Sequence, residues 1–358
     1  MTVAIRTDAS VEIGTGHVTR CLTLANELRE RGADVEFVCR EHPGHLCGSI
    51  ELAGYRVNRL PPPGAARAQG SPAHGHWLGV SQDVDARETR SILGKGKRLR
   101  WIVVDHYSLD ESWETAMRSV ADRVMVIDDL ADRRHDCDLL LDQNYYRDLE
   151  SRYDGLVPSG CRKLLGPRYA LLRREFIELR RKLRNRDGAV RRILVFFGGT
   201  DPTNETAKAI QSVAALNRPD IEVDVVVGES NPNRDQIASV CGATRGFRFH
   251  CEIHNLAELM VLADLAIGGG GATTWERCYL GLPTIVLVLA KNQRRAMVDL
   301  AEVGAIINLG DAGDVTTGIL IDTLNCLLAD RNICIKLSLY SMEIASGCAE
   351  KTVAEYLT

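Results

Sequence analysis

The sequence predicts two doubly wound α/β domains, each Rossmann-like, with a parallel sheet covered by helices on both faces. Strand-length apolar runs alternate with segments of helical period along most of the chain, and the alternation halts at one charged stretch before starting again. Length agrees with this: 358 residues at 45% hydrophobic content exceed one ordinary core and suit two domains of roughly 150 residues each.

The first strand is Val3-Ala4-Ile5, and the helix after it places Val18, Cys21, Leu22, Ala25 and Leu28 at spacings of three and four until Gly32 stops it. Strands follow at 35–39, 56–60, 101–105, 124–127 and 139–141. Between Pro61 and Gly75 the chain is crowded with Pro, Gly and Ala and reads as a surface excursion. The charged run from Arg173 to Gly188 predicts a short helix and a linker. Beyond it come strands at 193–197, 222–227, 265–267 and 284–288 and a helix at 203–216. The domain reading is therefore 1–172, a linker at 173–190, a second domain at 191–340, and a terminal helix at 341–358 able to cross back to the first domain.

Composition narrows the function. Forty-four basic residues against 48 acidic ones, a net charge of −4, give no cationic footprint for nucleic acid or an anionic membrane. Eleven cysteines without a C-x-x-C pair suggest free thiols rather than a disulfide framework or a zinc site. No run approaches the roughly 20 apolar residues of a membrane span, and Arg6 and Asp8 precede any apolar run, so the expected location is the cytoplasm.

The chemistry-bearing residues fall where strands end, which is where open α/β sheets bind ligands. Gly14-Thr15-Gly16-His17 leaves the first strand and opens a helix; glycine lets a ligand approach the backbone, and a histidine there is a candidate base or, more plainly, a helix cap. Arg6 and Asp8 share that strand end, and Asp105-His106-Tyr107 leaves another. In the second domain, 197–202 reads as a phosphate-cradling turn around Gly199 and Thr200. Four consecutive glycines, 268–271, cost much conformational entropy and predict a close approach to the backbone. Thr273 and Glu276 fit a capping box, or Glu276 clasps ribose hydroxyls. Asp128-Asp129 reads either as a metal-binding pair or as a strand-end cap, and His135 and His254 as ordinary loop histidines.

These motifs carry a resemblance. Arg6-x-Asp8-Ala9-Ser10, Ile13 through Cys21, Trp77-Leu78-Gly79-Val80, Val104-Asp105-His106-Tyr107, Ile127-Asp128-Asp129 and Leu141-Asp142-Gln143-Asn144 occur in order. Gly166-Pro167-x-Tyr169-Ala170-Leu171-Leu172-Arg173, Gly198-Gly199-Thr200-Asp201-Pro202 and Gly270-Gly271-x-Thr273-Thr274-Trp275-Glu276-Arg277 continue the series. Together they resemble the UDP-2,4-diacetamido-2,4,6-trideoxy-β-L-altropyranose hydrolases of pseudaminic acid biosynthesis, over residues 1 to about 300.

The resemblance implies a GT-B-like fold, two Rossmann-like domains facing each other across a cleft, similar to the enzyme that adds N-acetylglucosamine to lipid-linked peptidoglycan precursors. It implies metal-independent, cofactor-free hydrolysis of a UDP-sugar with inversion, by a monomer, with His17 and Asn292 as the catalytic residues. The nucleotide would rest on the second domain, with its ribose near Glu276 and its diphosphate near Gly199, Thr200, Gly270 and Gly271, flanked by Thr273, Thr274 and Gln293. Arg6, Asp8, Gly14, Gly16, Asp105 and Tyr107 would face the sugar, and either Asp8 or Asp105 would orient His17. A GT-B glycosyltransferase using a UDP-sugar donor and a non-catalytic UDP-sugar-binding protein of a polysaccharide pathway are the alternatives. The stretch 61–75 and the last fifty or so residues carry no motif of this kind.

Overall fold

A computed structural model describes residues 1–64, 74–96, 98–251, 253 and 255–358. Most of the 61–75 excursion, and His254, lie outside the described residues. The chain divides into two compact units. The first comprises Met1–Asn144, Asp148–Leu171 and Glu350–Thr358; the second comprises Tyr145–Arg147 and Leu172–Ala349.

In the first unit the chain runs β1 (Thr2–Thr7), α1 (Gly16–Glu30), β2 (Asp34–Arg40), α2 (Cys47–Leu52), β3 (Arg56–Leu60), α3 (Gln82–Leu93), β4 (Leu99–Asp105), α4 (Glu111–Met117), β5 (Ala121–Ile127), β6 (Leu139–Asp142) and β7 (Arg162–Leu165). The strands form one parallel sheet in the order β3-β2-β1-β4-β5-β6-β7. Alternation along each strand feeds two cores. Val3, Ile5, Trp101 and Val103 pack with Leu24 and Leu28 of α1, whereas Ala4, Ile102 and Val104 pack with Trp113 and Met117 of α4. Strand order reverses between β1 and β4, where Thr7 stands beside Asp105; this switch point opens a crevice at the strands' carboxyl ends.

The second unit contains α5 (Arg174–Arg180), β8 (Arg192–Phe196), α6 (Glu205–Ala215), β9 (Glu222–Val227), α7 (Arg234–Ala243), β10 (Phe247–Cys251), α8 (Leu256–Leu262), β11 (Leu265–Gly269), α9 (Thr273–Tyr279), β12 (Thr284–Val288), α10 (Lys291–Glu302), β13 (Ile307–Asp311), α11 (Thr317–Ala329) and α12 (Arg331–Ile344). Its parallel sheet is ordered β10-β9-β8-β11-β12-β13, with the switch point between β8 and β11. Three strands absent from the sequence reading, β7, β10 and β13, each lie at a sheet edge.

The charged run after Leu172 lies within the second unit: Arg184 pairs with Asp264, and Arg186 donates to the carbonyls of Met260, Ala263 and Leu280. The stretch 341–358 is divided rather than one helix. It leaves α12 at Ile344, turns through Gly347 and Ala349, both at positive φ, and ends in a short 3-10 turn, Val353–Tyr356. That turn docks Val353, Ala354 and Leu357 into the first unit's core, where Trp101 Nε1 donates to the Leu357 carbonyl at 2.9 Å. Among the described residues, no helix is long and apolar enough to cross a membrane.

Candidate functional site

The loop after β1 is shaped locally. Ser10 Oγ accepts from the N–H groups of Glu12 and Ile13 at 3.1 and 2.9 Å, and Gly14 N donates to the Ser10 carbonyl at 2.9 Å. Gly14 sits at φ 79°, which only glycine adopts without strain, and Gly16 begins α1. His17 is thereby fixed in the helix's first turn, nearly buried.

At the switch point His17 meets Asp105. Nδ1 lies 2.5 Å from Asp105 Oδ1, and the ring stands edge-on to Tyr107, with centroids 4.6 Å apart. Arg20, one helical turn beyond His17, donates to Asp105 Oδ2 from Nε at 2.7 Å, to Oδ1 from Nη2 at 2.6 Å, and from Nη1 to Asp129 at 3.2 Å. Asp105 is fully buried. Burial alone pushes its pKa up, but the Arg20 charge and the hydrogen bonds of Arg20 and His17 hold the carboxyl well below the usual carboxylate range. The Tyr107 hydroxyl donates to Asp129 Oδ1 at 2.5 Å, which closes the network. Asp105 rather than Asp8 therefore orients His17. Arg20 and Asp129 escaped the reading of this site, although the three-residue spacing of His17 and Arg20 on one helix signals a shared face.

Arg6 and Asp8 lie beneath the loop with fully buried side chains. Arg6 donates to Asp8 from Nη1 and Nη2 at 2.6 and 2.9 Å and to Asp85 from Nε and Nη2 at 3.1 and 2.7 Å. Asp8 also accepts from Arg40 N at 2.7 Å and stands 3.3–3.4 Å from His106 and His42. These charges anchor the carboxyl end of β1 to its neighbours. Against its burial, the Arg6 charge holds Asp8 well below its ordinary range.

In the second unit the turn at 197–202 leaves Gly199 and Thr200 half-buried, and a Cβ on Gly228 would stand 2.7 Å from Gly199 Cα, so two backbones touch there. The helix start that was expected to cradle phosphate is already capped from within. Asp201 accepts from Glu205 N at 3.0 Å and Thr206 N at 2.8 Å. At three of the four glycines, Gly268, Gly269 and Gly270, the close approach is the protein's own. A Cβ on Gly268 would strike Arg277 and the Phe196 carbonyl, one on Gly269 would reach Leu289 Cδ1 at 2.7 Å, and one on Gly270 would reach Met297 Cγ at 2.6 Å. Gln293 lies beside Gly270 and Gly271 and accepts from Leu289 N at 3.0 Å; Asn292, half-buried, precedes it in the first turn of α10. Thr273 opens α9, and buried Thr274 accepts from Arg277 Nη2 at 3.0 Å.

Glu276 forms no capping box: α9 has Ala272 at its N-cap and no side-chain cap. Its carboxylate faces Arg173 instead, which donates from Nε to Oε1 at 2.8 Å and from Nη2 to Oε2 at 3.2 Å. Burial pushes the Glu276 carboxyl above its ordinary value, with the Arg173 charge opposing. Arg173 lies in the motif Gly166 through Arg173 and at the start of the charged run that predicts a linker, and nothing local in the sequence links it to Glu276.

Two further expectations are corrected. Asp128 and Asp129 are neither a metal pair nor a helix cap: Asp128 pairs with Arg133 at 2.8 Å and accepts from Tyr153 and Ala131 N, while Asp129 serves Tyr107 and Arg20. Among the described residues, no group of three or more His, Cys, Asp or Glu side chains is placed to hold a metal ion. His135 is not an ordinary loop residue either. It is buried with Nδ1 2.7 Å from Glu114 Oε1.

Comparison with known proteins bears on the fold. Residues 193–346 match the model of the glycosyltransferase family 28 C-terminal domain. An uncharacterised protein of Methanocaldococcus jannaschii is 25% identical over 84% of this chain, which spans only 58% of that protein's length. The UDP-2,4-diacetamido-2,4,6-trideoxy-beta-L-altropyranose hydrolase of Campylobacter jejuni is 26% identical over 85% of this chain and 97% of its own. The solved structure of a spinosyn rhamnosyltransferase complexed with thymidine diphosphate superposes with a TM-score of 0.63 at 14% identity, covering 100% of this chain and 98% of that one. The chain thus has the GT-B fold, built from two Rossmann-like units, matches the family 28 C-terminal domain model over 193–346 in the second, and resembles the UDP-diacetamido-trideoxy-altropyranose hydrolases.

Proposed function

We propose that the protein hydrolyses a UDP-linked di-N-acetylated trideoxy sugar to the free sugar and UDP, as a step of pseudaminic acid biosynthesis. The observation that carries this reading is His17 Nδ1 against the buried, Arg20-bound carboxylate of Asp105. With its proton directed at Asp105, Nδ1 leaves the Nε2 lone pair as the acceptor, which is the tautomer a general base requires. A water oxygen bonds to the anomeric carbon while the carbon's bond to the β-phosphate oxygen breaks. His17 Nε2 takes the water proton, UDP departs with the bonding pair, and the single displacement inverts the anomeric centre.

The second unit holds the nucleotide: Glu276 accepts from the ribose hydroxyls, and the Gly199-Thr200 turn and the Gly270-Gly271 segment with Thr273, Thr274 and Gln293 surround the diphosphate. Asn292 orients the sugar or the water. Arg6 and Asp8 act from below, by fixing the strand end that carries the Gly14-Gly16 loop, while Tyr107 supports the His17 ring. No cofactor enters the reaction. Support for the nucleotide comes from the thymidine diphosphate held by a protein of the same fold and from the name of the Campylobacter relative.

The test is to incubate the purified protein with UDP-di-N-acetylated deoxysugars in buffer and follow UDP release. Release no faster than from His17→Ala protein sinks the proposal. The family 28 match favours a second reading, transfer of the sugar to an acceptor, and UDP release that depends on added acceptor would establish it.

A further inference from the structure

Glu276 is 6% exposed, and both of its oxygens are engaged by one guanidinium. A carboxylate offers about four acceptor positions, so a forked arginine takes one on each oxygen and leaves one on each. Two free acceptor positions held in one plane match a pair of vicinal hydroxyls, the recognition element of a ribonucleotide's ribose. The arginine is itself fixed. Its guanidinium lies 4.8 Å over the Phe176 ring and pairs with Glu175 at 3.2 Å, and the residue sits at the N-cap of α5.

We propose that Arg173 is a positioning residue for the nucleotide, fixing the Glu276 carboxylate as a paired acceptor for the 2′- and 3′-hydroxyls of a ribose. This inference rests on the nucleotide reading above. The charged groups facing Glu276 are Arg173, Glu175 and Arg277. Burial and Glu175 favour the protonated acid, Arg173 opposes them most strongly, and Arg277 adds a smaller opposing charge. Removing Arg173 leaves burial and Glu175 dominant. The carboxyl then takes up a proton at a higher pH, which turns an acceptor into a donor and costs a ribose contact.

Calorimetric titration of UDP, uridine and 2′-deoxy-UDP into wild type, Arg173→Ala, Arg173→Lys and Glu276→Gln proteins between pH 5.5 and 8.5 tests this. Arg173→Ala should lose about tenfold in affinity for UDP and uridine alike, equivalent to about 1.4 kcal/mol, and the loss should deepen as pH falls. Arg173→Lys should restore most of the pH profile, and the penalty should be smaller for 2′-deoxy-UDP, which keeps only the 3′-hydroxyl. Arg173→Ala protein with the affinity and pH dependence of wild type overturns the inference alone. A loss for UDP with none for uridine overturns it too, by placing the guanidinium on phosphate. Wild-type protein that binds no UDP overturns the nucleotide reading and this inference with it.

Discussion

Nδ1 of His17 and Oδ1 of Asp105 are 2.5 Å apart although the residues come from different elements, the first turn of α1 and the last residue of β4. Adjacent strands β1 and β4 bring them together, and Arg20 neutralises the carboxylate that would otherwise be an unpaired buried charge.

Replacing Asp105 by Asn should therefore leave a folded protein with the wrong imidazole tautomer. Its kcat for UDP release should fall roughly 10²–10⁴-fold, while UDP affinity, which the proposal assigns to the second unit, stays near wild type. Steady-state kinetics and calorimetry measure the two separately. Unchanged kcat would remove Asp105 from the mechanism.

The His135–Glu114 pair predicts a pH-dependent stability. Burial disfavours the imidazolium, but Asp128 and Glu114 outweigh it and raise the pKa to about 9. Because the folded value exceeds the unfolded one of about 6.5, this stabilisation is complete below about pH 6.5 and is lost as pH rises through about 9. The full difference is on the order of 3 kcal/mol at 1.36 kcal/mol per unit. Urea unfolding from pH 6 to 9.5 should show wild type losing stability more steeply than His135→Gln; parallel curves would contradict the pairing.

Gly228→Ala should act through Gly199, whose Cα would stand 2.7 Å from the new methyl. With backbone on both sides, the Gly199-Thr200 turn must shift, at about 1–3 kcal/mol of stability. Weaker UDP binding should accompany the lower melting temperature. A lower melting temperature with wild-type UDP affinity would show that this turn lies away from the diphosphate.

Asp85 accepts from Arg6, Arg40 and Trp113 at 2.7–3.1 Å in a fully buried setting. Asp85→Asn removes the negative charge that both guanidiniums share and should cost about 3–5 kcal/mol, read as a lower urea midpoint with an unchanged slope. A loss below about 1 kcal/mol would mean that water reaches the cluster.

Central strands were legible in the sequence because both of their faces are buried, so they read as continuous apolar runs: Val3-Ala4-Ile5 and Val124 to Ile127 are of this kind. Of the four edge strands, only Arg56–Leu60 was. Arg162–Leu165, Phe247–Cys251 and Ile307–Asp311 mix charged or polar residues into short runs, as strands with one open side do. At the site, the glycine turns and His17 stood out by composition, whereas the partnership of Glu276 with Arg173 spans 103 positions and leaves no local pattern. The glycine run at 268–271 reads two ways in a sequence for a physical reason: close approach by a neighbouring side chain or carbonyl demands the same missing Cβ as close approach by a ligand.

The docking of Leu357 against Trp101 bears on how the chain is made. A ribosome delivers the first unit's sheet early, but Val353, Ala354 and Leu357 emerge only after the entire second unit. Until then the nascent sheet lacks part of its cover and must wait with apolar surface open to water. The second unit, continuous from Leu172 to Ala349 apart from Tyr145–Arg147, meets no such delay, so vectorial synthesis favours completing the later domain before the earlier one is sealed.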